Sequence, residues 1–252
     1  MKTQVTIIGF GTMGKAIAKA ILKKDKKISV FGIDKDKPDK NNFIRKVEKS
    51  DFVILATKPQ DAKEAILEIK NYLNKKIILI SIMAGTSIKK IENLSGHKKI
   101  IRMMPNLGLS VGCGIAVWKG VGISTLEKKK VKNFINKITE NFEVKNEDTI
   151  NKVTAISGSG PAYFFLLADC LIKACASLGF NKNESRQLVE KTFSAAAILS
   201  REEDYSSLIK KVASKGGTTE AALDVFQKEN FNGIVLKAIR SAYKRAQELN
   251  QG

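Results

Sequence analysis

A glycine-rich turn near the amino terminus constrains the fold more than any other feature of this sequence. Gly9, Gly11 and Gly14 form the pattern G-x-G-x-x-G between the apolar run at residues 5–8 and an amphipathic helical pattern. Glycines at this spacing make a tight turn, let a pyrophosphate approach the backbone and allow a helix to lie close to a strand. The N–H groups of the first helical turn then receive the negative charge. We therefore expect a dinucleotide pyrophosphate to bind at Gly9, Phe10, Gly11, Thr12, Met13 and Gly14.

Short apolar runs alternate with helical patterns in the first half of the chain, which predicts a parallel sheet with crossover helices. The predicted strands span residues 4–9, 28–33, 52–56, 77–82, 99–103 and 114–118. Apolar residues at three- and four-residue spacing predict helices at residues 13–23, 60–72, 87–94 and 125–141.

Beyond residue 146 the strand patterns stop. Helical patterns follow one another at residues 162–178, 184–200, 205–213, 219–227 and 231–249. The sequence therefore predicts two domains. Residues 1–146 form an α/β, Rossmann-like doubly wound sheet that binds a dinucleotide, and residues 147–252 form an all-α helical domain.

The composition of the chain excludes several classes of protein. No apolar run approaches the roughly 20 residues of a membrane helix, and the first residues leave no room for a signal peptide, so a cytoplasmic location is expected. The net charge of +19 comes from dispersed lysines without interleaved aromatic residues, which favours a basic surface over nucleic-acid binding. That positive field would help to attract an anionic coenzyme and a carboxylate substrate.

Cysteine and histidine are scarce in this chain. Cys113, Cys170 and Cys175 form no C-x-x-C pair, and His97 is the single histidine. We expect no disulfide framework and no metal site, because neither a second histidine nor a pair of cysteines is available as ligands. The thiols are expected to be buried and reduced, and His97 to lie at the surface.

An acidic residue follows the second predicted strand. Asp34 lies about 20 residues after Gly14, where a carboxylate accepts hydrogen bonds from the ribose hydroxyls of NAD. Lys35 and Lys37 come directly after it and could neutralise the 2′-phosphate of NADP. Asp34 and Lys35 could also form only a solvated turn. The sequence thus leaves the choice between NADH and NADPH open.

Three further strand ends carry small or polar residues. In an open parallel sheet the carboxyl ends of the strands line the ligand crevice, and Pro59 stands where a first helical turn begins. The predicted coenzyme groove therefore includes Ala56, Thr57, Lys58, Pro59, Ala84, Gly85 and Asn106.

With these segments in view, the chain resembles the pyrroline-5-carboxylate reductase family over nearly its whole length. The resemblance rests on the glycine-rich turn and on residues 56–60, 84–86, 102–106, 153–163 and 214–219, which occur in the family's order and rough spacing. It implies an oxidoreductase that transfers a hydride from NAD(P)H to the C=N carbon of 1-pyrroline-5-carboxylate. The product would be L-proline, in the last step of proline biosynthesis.

The resemblance also implies roles for residues 214–219. Hydroxyl and backbone N–H groups of this loop would hold the substrate carboxylate, through Ser214, Gly216, Gly217, Thr218 and Thr219. Thr219 would lie beside the ring nitrogen as a polarising or proton-relaying group. A protonated imine already carries positive charge, so positioning and one hydroxyl can replace a strong general acid. Without the resemblance, the residues themselves favour a simpler interpretation, in which Thr218 and Thr219 are helix N-cap residues.

The resemblance implies a homodimer with interlocked helical domains, or a larger homo-oligomer. A single copy would expose the apolar helix faces at residues 164–167 and 195–199. Residues 157–160 lack the G-x-S-x-G spacing of a hydrolase elbow and are predicted to form a turn between helices, with Pro161 starting the next helix.

Some positions depart from the family pattern. Residues 34–50 are short, as if most of the helix and strand after the second strand were missing, so Asn42 is a weaker coenzyme contact. Lys215 stands where proline is usual. Asp204 and Tyr205 replace a usual His-Pro, beside Glu202 and Glu203 near an acid found in some relatives.

Two alternative functions remain open at this point. One is a related imine or β-hydroxyacid reductase with the same two-domain plan, acting on another small acid. The other is a basic nucleic-acid-binding or regulatory protein that keeps a nucleotide fold without catalysis.

Overall fold

The computed structural model describes residues 2–34 and 40–251, so the predicted contact Lys35 and the neighbouring Lys37 lie outside the described residues. The chain divides into two compact units. The first, here the sheet unit, contains the residues up to Pro161 and those from Ser241 onward; the second, here the helical unit, is Ala162–Arg240. The domain boundary between residues 146 and 147 stays a prediction.

The sheet unit is built on a sheet of seven strands within the described residues. These are β1 Gln4–Ile8, β2 Ser29–Ile33, β3 Phe52–Leu55, β4 Ile78–Ser81, β5 Ile100–Pro105, β6 Ile115–Val121 and β7 Glu140–Glu143. Their order is β2-β1-β3-β4-β5-β6-β7. Strands β1 to β5 are parallel, as expected for a doubly wound sheet.

The last strands differ from the expectation. Strand β6 runs antiparallel to β5, because the link at residues 106–114 is too short for a crossover. Strand β7, parallel to β6, was missed, and the helix predicted to reach residue 141 ends at Ile135. The sequence Glu140-Asn141-Phe142-Glu143 has a single apolar residue and forms a mostly exposed edge, so its pattern carries no strand signal.

Eleven α-helices accompany the described strands. They are α1 Thr12–Lys24, α2 Lys40–Glu48, α3 Ala62–Ile69, α4 Ile88–Ser95, α5 Thr125–Ile135, α6 Asp148–Val153, α7 Gly160–Ser177, α8 Lys182–Leu199, α9 Tyr205–Val212, α10 Thr218–Lys228 and α11 Phe231–Gln251. Helix α2 corrects one expectation, since a helix of 9 residues occupies the segment that was thought to lack most of its helix. The sequence did not predict this helix because its mean hydropathy is low. Its residues Phe43 and Val47 are nevertheless buried.

The core lies on both faces of the sheet. Strands β3 and β4 are buried at every position, as near-continuous apolar runs are in parallel sheets covered by helices. Alternate residues point to opposite faces. Thus Ile54 belongs to one buried cluster and Leu55 to the other.

His97 is buried rather than on the surface, with 8% of its area exposed. Its ring Nε2 lies 2.9 Å from the carbonyl oxygen of Ile77, and its backbone N–H donates to Ser95 Oγ. Gly96, at φ 68°, ends α4 and turns the chain inward. Burial lowers the pKa of His97, so the neutral ring serves as a structural hydrogen-bonding group.

The cysteines also differ from the expectation of burial. Cys113 and Cys170 are exposed and Cys175 is half-buried in the single chain. Cys170 and Cys175 lie on α7, whose side chains are largely uncovered in a single copy. A sequence pattern indicates that a helix face is apolar, but it does not indicate whether the same chain buries that face.

Helix α6, a π-helical turn at Thr154–Gly158 and α7 follow one another without an intervening loop, so the turn predicted at residues 157–160 is wrong. The N–H of Ser159 donates to Thr154 O at 2.9 Å, a bond one residue wider than in an α-helix. Pro161 lacks the N–H that would bond residue 157 in an α-helix. The helix therefore widens by one residue at this turn and continues into α7 instead of ending.

This composite helix, Asp148–Ser177, is long and apolar enough to cross a membrane by length and composition alone. Its most apolar segment of 18 residues has a mean hydropathy of 1.4, and 11% of that segment is buried in the single chain. The expectation that no segment reaches this range is therefore wrong. The helical unit also exposes large apolar side chains on other helices, among them Leu188, Ile198, Leu199, Val225 and Phe226.

Candidate functional site

The glycine-rich turn lies between the carboxyl end of β1 and α1. Gly9 adopts φ 90°, which only glycine adopts readily. Its N–H donates to Ile33 O at 2.9 Å, which ties the turn to the end of β2. A Cβ at Gly9 would lie 2.6 Å from the Thr57 nitrogen, so the turn also passes directly over the end of β3.

The other two glycines have different surroundings. A Cβ at Gly14 would lie 2.3 Å from Gly9 O, which shows how closely α1 approaches the turn. A Cβ at Gly11, the N-cap residue of α1, would meet nothing within 4 Å. No side chain in the described part of the chain caps this helix. The first N–H groups of α1, at the positive end of its dipole, thus have no capping side chain among the described residues, which suits an anion seat.

The side chains of the turn divide between surface and core. Thr12 is exposed, whereas Met13 is half-buried against the core beneath α1. The ring of Phe10 covers Gly32 of β2, where an added Cβ would lie 2.0 Å from the ring. These contacts give Phe10 and Met13 a packing role, and their contact with a coenzyme stays a prediction.

A cavity of about 1280 Å³ opens at the carboxyl ends of β1, β2 and β3. Gly9, Gly11 and Asp34 lie in its wall with Ala56, Thr57 and Lys58. Sites for small molecules commonly measure about 300–1,000 Å³, so this one has room for a large part of a dinucleotide. Phe43 of α2 also lines it, whereas Asn42 does not.

The next strand ends are fixed by local bonds. Pro59 opens a short 3-10 turn before α3, and Thr57 Oγ1 lies 3.2 Å from Met83 Sδ at the end of β4. Ala84 and Gly85 follow, and Gly85 adopts φ 63°. A Cβ there would lie 2.1 Å from Leu249 Cβ of α11, so this loop is packed against the carboxyl end of the chain.

Asn106, directly after β5, is held by two partners. Its Nδ2 donates to Ser157 Oγ at 3.3 Å, and its Oδ1 accepts from the N–H of Ile115 at 3.2 Å. The π-helical turn that carries Ser157 therefore orients this amide. π-Helical turns are frequent at functional sites.

Beneath these loops lies a polar network that we here call the Arg102 network; sequence reasoning missed it. The Arg102 side chain is 1% exposed and donates to Glu147 Oε1 and to Asn151 Oδ1, both at 2.8 Å. Glu147 Oε1 also accepts from the N–H of Ile88 at 2.9 Å. One carboxylate thus connects β5, the start of α6 and the start of α4. The only signal was a basic residue inside an apolar strand pattern.

The network continues into the carboxyl-terminal helix. Asn250 Nδ2 donates to Asn151 Oδ1 at 2.9 Å, and the Tyr243 hydroxyl donates to Asp148 Oδ2 at 2.6 Å. This hydrogen bond lowers the pKa of Asp148 and raises the pKa of Tyr243. The final turns of α11 therefore belong to the sheet unit.

The second candidate site is the loop before α10, in the helical unit. Gly216 adopts φ 73°, and the N–H of Gly217 donates to Ser214 O at 3.0 Å. A Cβ at Gly217 would lie 2.5 Å from Ser214 Oγ and 2.9 Å from Ser214 O, which shows how close the turn is. Gly217 is the N-cap of α10 and brings no capping side chain.

Thr218 and Thr219 are the first two residues of α10, so neither is its N-cap. Thr218 is exposed and Thr219 is half-buried. Ser214, Lys215 and Gly216 are exposed beside them. The loop thus presents hydroxyls and backbone N–H groups at a helix N-terminus, which is chemistry suited to a small anion.

Within residues 2–34 and 40–251, no three His, Cys, Asp or Glu side chains gather in a group that could hold an ion.

Comparison with known proteins identifies the family. A family model described as pyrroline-5-carboxylate reductase dimerisation matches residues 147–249, and one described as NADP oxidoreductase coenzyme F420-dependent matches residues 4–85. The pyrroline-5-carboxylate reductase of Aquifex aeolicus is 33% identical over 98% of this chain and 97% of its own length. The chain belongs to the pyrroline-5-carboxylate reductase family.

Solved structures agree with this assignment over the whole chain. A Plasmodium falciparum pyrroline carboxylate reductase with NADP bound has a TM-score of 0.89 and 28% identity, covering 99% of both chains. The Coxiella burnetii pyrroline-5-carboxylate reductase has a TM-score of 0.83 and 30% identity at the same coverage. The predicted fold class is confirmed, and residues 147–249 match the family's dimerisation model. Membership in this reductase family makes the chain an NAD(P)H-dependent oxidoreductase.

Proposed function

We propose that this chain reduces 1-pyrroline-5-carboxylate to L-proline with NAD(P)H. The observation that carries the proposal is the loop at residues 214–219, where Gly216 and Gly217 bend the backbone around the uncapped start of α10. It supplies an anion seat for a small carboxylate on the unit that matches the reductase family.

The sheet unit provides residues that fit a dinucleotide. Gly11 and the first N–H groups of α1 would hold the pyrophosphate, and Asp34 would contact the adenosine ribose. Lys58 and Asn106 would approach the remainder of the coenzyme from the neighbouring strand ends. When bound, NAD(P)H supplies the hydride for the imine carbon.

The helical unit would bind and orient the substrate. Ser214 and the N–H groups of Gly216 and Thr218 would receive the carboxylate, and Thr219 would place its hydroxyl at the ring nitrogen. Positioning of this kind can lower a barrier by several kcal/mol without a titrating side chain. A weak hydroxyl donor suffices, since the protonated imine already carries positive charge.

We also propose a homodimer with interlocked helical domains, or a larger homo-oligomer. The apolar surface of the helical unit and of helix 148–177 supports an interface with a second copy rather than a membrane span, because these residues match the family's dimerisation region. Cytoplasmic location and the absence of nucleic-acid binding stay predictions.

Activity with 1-pyrroline-5-carboxylate is the first test. We expect the wild type to oxidise NADH or NADPH with this substrate, and Thr219→Ala to lower kcat by about tenfold or more through loss of the polarising hydroxyl. Thr219→Ser is the matched control, because it keeps the hydroxyl and should retain most of kcat. The coenzyme KM is expected to stay unchanged in both.

Two outcomes would contradict the proposal. If the wild type oxidises neither coenzyme with 1-pyrroline-5-carboxylate, but oxidises NAD(P)H with another imine or reduces NAD(P)+ with a β-hydroxyacid from a small panel, the proposed reaction is wrong. If Thr219→Ala keeps the wild-type kcat, the reaction stands and the role of Thr219 fails.

Asp34 allows a second prediction, on coenzyme choice. Its carboxylate lies in the cavity wall beyond β2 and would accept from ribose hydroxyls while repelling a 2′-phosphate. We expect Asp34→Ser to raise the ratio of kcat/KM for NADPH to that for NADH by about tenfold. Asp61→Ser removes the same charge from another part of the wall and is expected to leave the ratio nearly unchanged. Equal ratios in wild type and Asp34→Ser would show that Asp34 does not select the coenzyme.

A further inference from the structure

Glu220 lies at the third position of α10, directly after the candidate carboxylate loop at residues 214–219. Its Oε2 accepts a hydrogen bond from the N–H of Gly216 at 2.6 Å. Gly216 is one of the backbone donors that we assign to the substrate carboxylate. A carboxylate of the chain itself is therefore bound to a donor that the substrate carboxylate would need.

Two other helices of the chain show what an ordinary acidic cap looks like. In α5 and α8 the glutamate at the third position accepts from the N-cap N–H at 2.9 Å, and the N-cap side chain reciprocates. In α10 the N-cap is Gly217, which has no side chain, and Glu220 reaches past it to Gly216. The bond of Glu220 is thus directed into the loop and is not part of a reciprocal cap.

The backbone around Gly216 is open to an incoming anion. A Cβ at Gly216 would meet nothing within 4 Å, and the residue itself is exposed. A substrate carboxylate and the Glu220 carboxylate carry the same charge and would accept from the same N–H. The two carboxylates cannot both accept from this N–H without electrostatic repulsion between them.

We propose that Glu220 occupies the substrate-carboxylate seat in the free protein and that substrate binds by displacing it. This inference rests on the proposed function, since the seat is defined by the substrate carboxylate. Glu220 then acts as an internal competitor. It raises the KM for 1-pyrroline-5-carboxylate and makes the loop pre-formed, because the seat is filled when substrate is absent.

The test is Glu220→Gln, which removes the charge and leaves an amide oxygen able to accept from Gly216. We expect the KM for 1-pyrroline-5-carboxylate to fall by about fivefold to tenfold, with the coenzyme KM unchanged. L-proline, titrated calorimetrically into the whole protein, is expected to bind more tightly by a similar factor. Glu184→Gln, which neutralises the reciprocal cap of α8, is the matched control and should leave both quantities unchanged.

A simple capping role predicts the opposite pattern. The Glu220→Gln variant would then lose thermal stability as Glu184→Gln does, with an unchanged or higher substrate KM, and the inference would be overturned. Circular dichroism of both variants verifies that they are folded. If the wild type does not turn over 1-pyrroline-5-carboxylate, the proposed function fails, while the L-proline titration still decides whether Glu220 competes for the loop.

Discussion

Replacing Gly9 with alanine is expected to destabilise the sheet unit by about 3 kcal/mol or more. Two costs add at this position. The residue adopts φ 90°, and the new Cβ would lie 2.6 Å from the Thr57 nitrogen and 2.7 Å from the carbonyl of Ala56. Both contacts are backbone atoms at the end of the interior strand β3, so they cannot turn away as a side chain would.

Gly11→Ala is the matched control for this substitution. Gly11 has φ −74°, which alanine adopts freely, and an added Cβ would meet nothing within 4 Å. The folded protein should therefore tolerate the methyl group, with a change in stability of less than about 1 kcal/mol. The same methyl group would project where the pyrophosphate approaches the backbone, and we expect the coenzyme KM to rise by about tenfold or more.

Urea unfolding and coenzyme titration separate the two effects. Gly9→Ala should shift the unfolding midpoint strongly, whereas Gly11→Ala should shift only the coenzyme titration. If Gly11→Ala binds coenzyme as the wild type does, the pyrophosphate does not lie over this turn. If Gly9→Ala is as stable as the wild type, the close approach of the turn to β3 is wrong.

Much of the fold could be predicted from the sequence. The glycine-rich turn, the five parallel strands and the five described helices after residue 159 follow from local periodicity and turn chemistry. Strand β7 did not, because Phe142 is the single apolar residue of an exposed edge. His97 was misjudged, because its burial depends on a carbonyl of residue 77 and not on its own polar neighbours.

The candidate site likewise contains residues that the sequence predicts and residues that it does not. The glycine-rich turn and the loop at 214–219 could be predicted as binding sites. Their unusual backbone conformations require glycine, and the glycines, with the threonines beside them, are visible in the sequence. The Arg102 network was not found. Its partners Glu147, Asn151 and Asn250 come from distant segments, and each looks like an ordinary surface residue until the fold brings them together.

Arg102→Met is expected to cost about 3–5 kcal/mol of the free energy of unfolding, the range for breaking a buried ion pair. The guanidinium is 1% exposed and holds Glu147 and Asn151 at 2.8 Å each. Methionine fills most of its volume but removes one of the two donors to the Glu147 carboxylate among the described residues and leaves the N–H of Ile88. Arg102→Lys keeps the charge but cannot reach both partners from one nitrogen, so it should lose less stability than Arg102→Met.

The surface pair Lys98 and Glu92 supplies the comparison. Its atoms lie 2.6 Å apart, but the lysine side chain is 76% exposed, so Lys98→Met should change stability little. A double-mutant cycle with Glu147→Gln isolates the pair, since the second substitution should cost less once Arg102 is already methionine. Additive losses would mean that the two side chains act independently. A loss for Arg102→Met as small as that for Lys98→Met would contradict the view that this buried cation links β5 to the starts of α4 and α6.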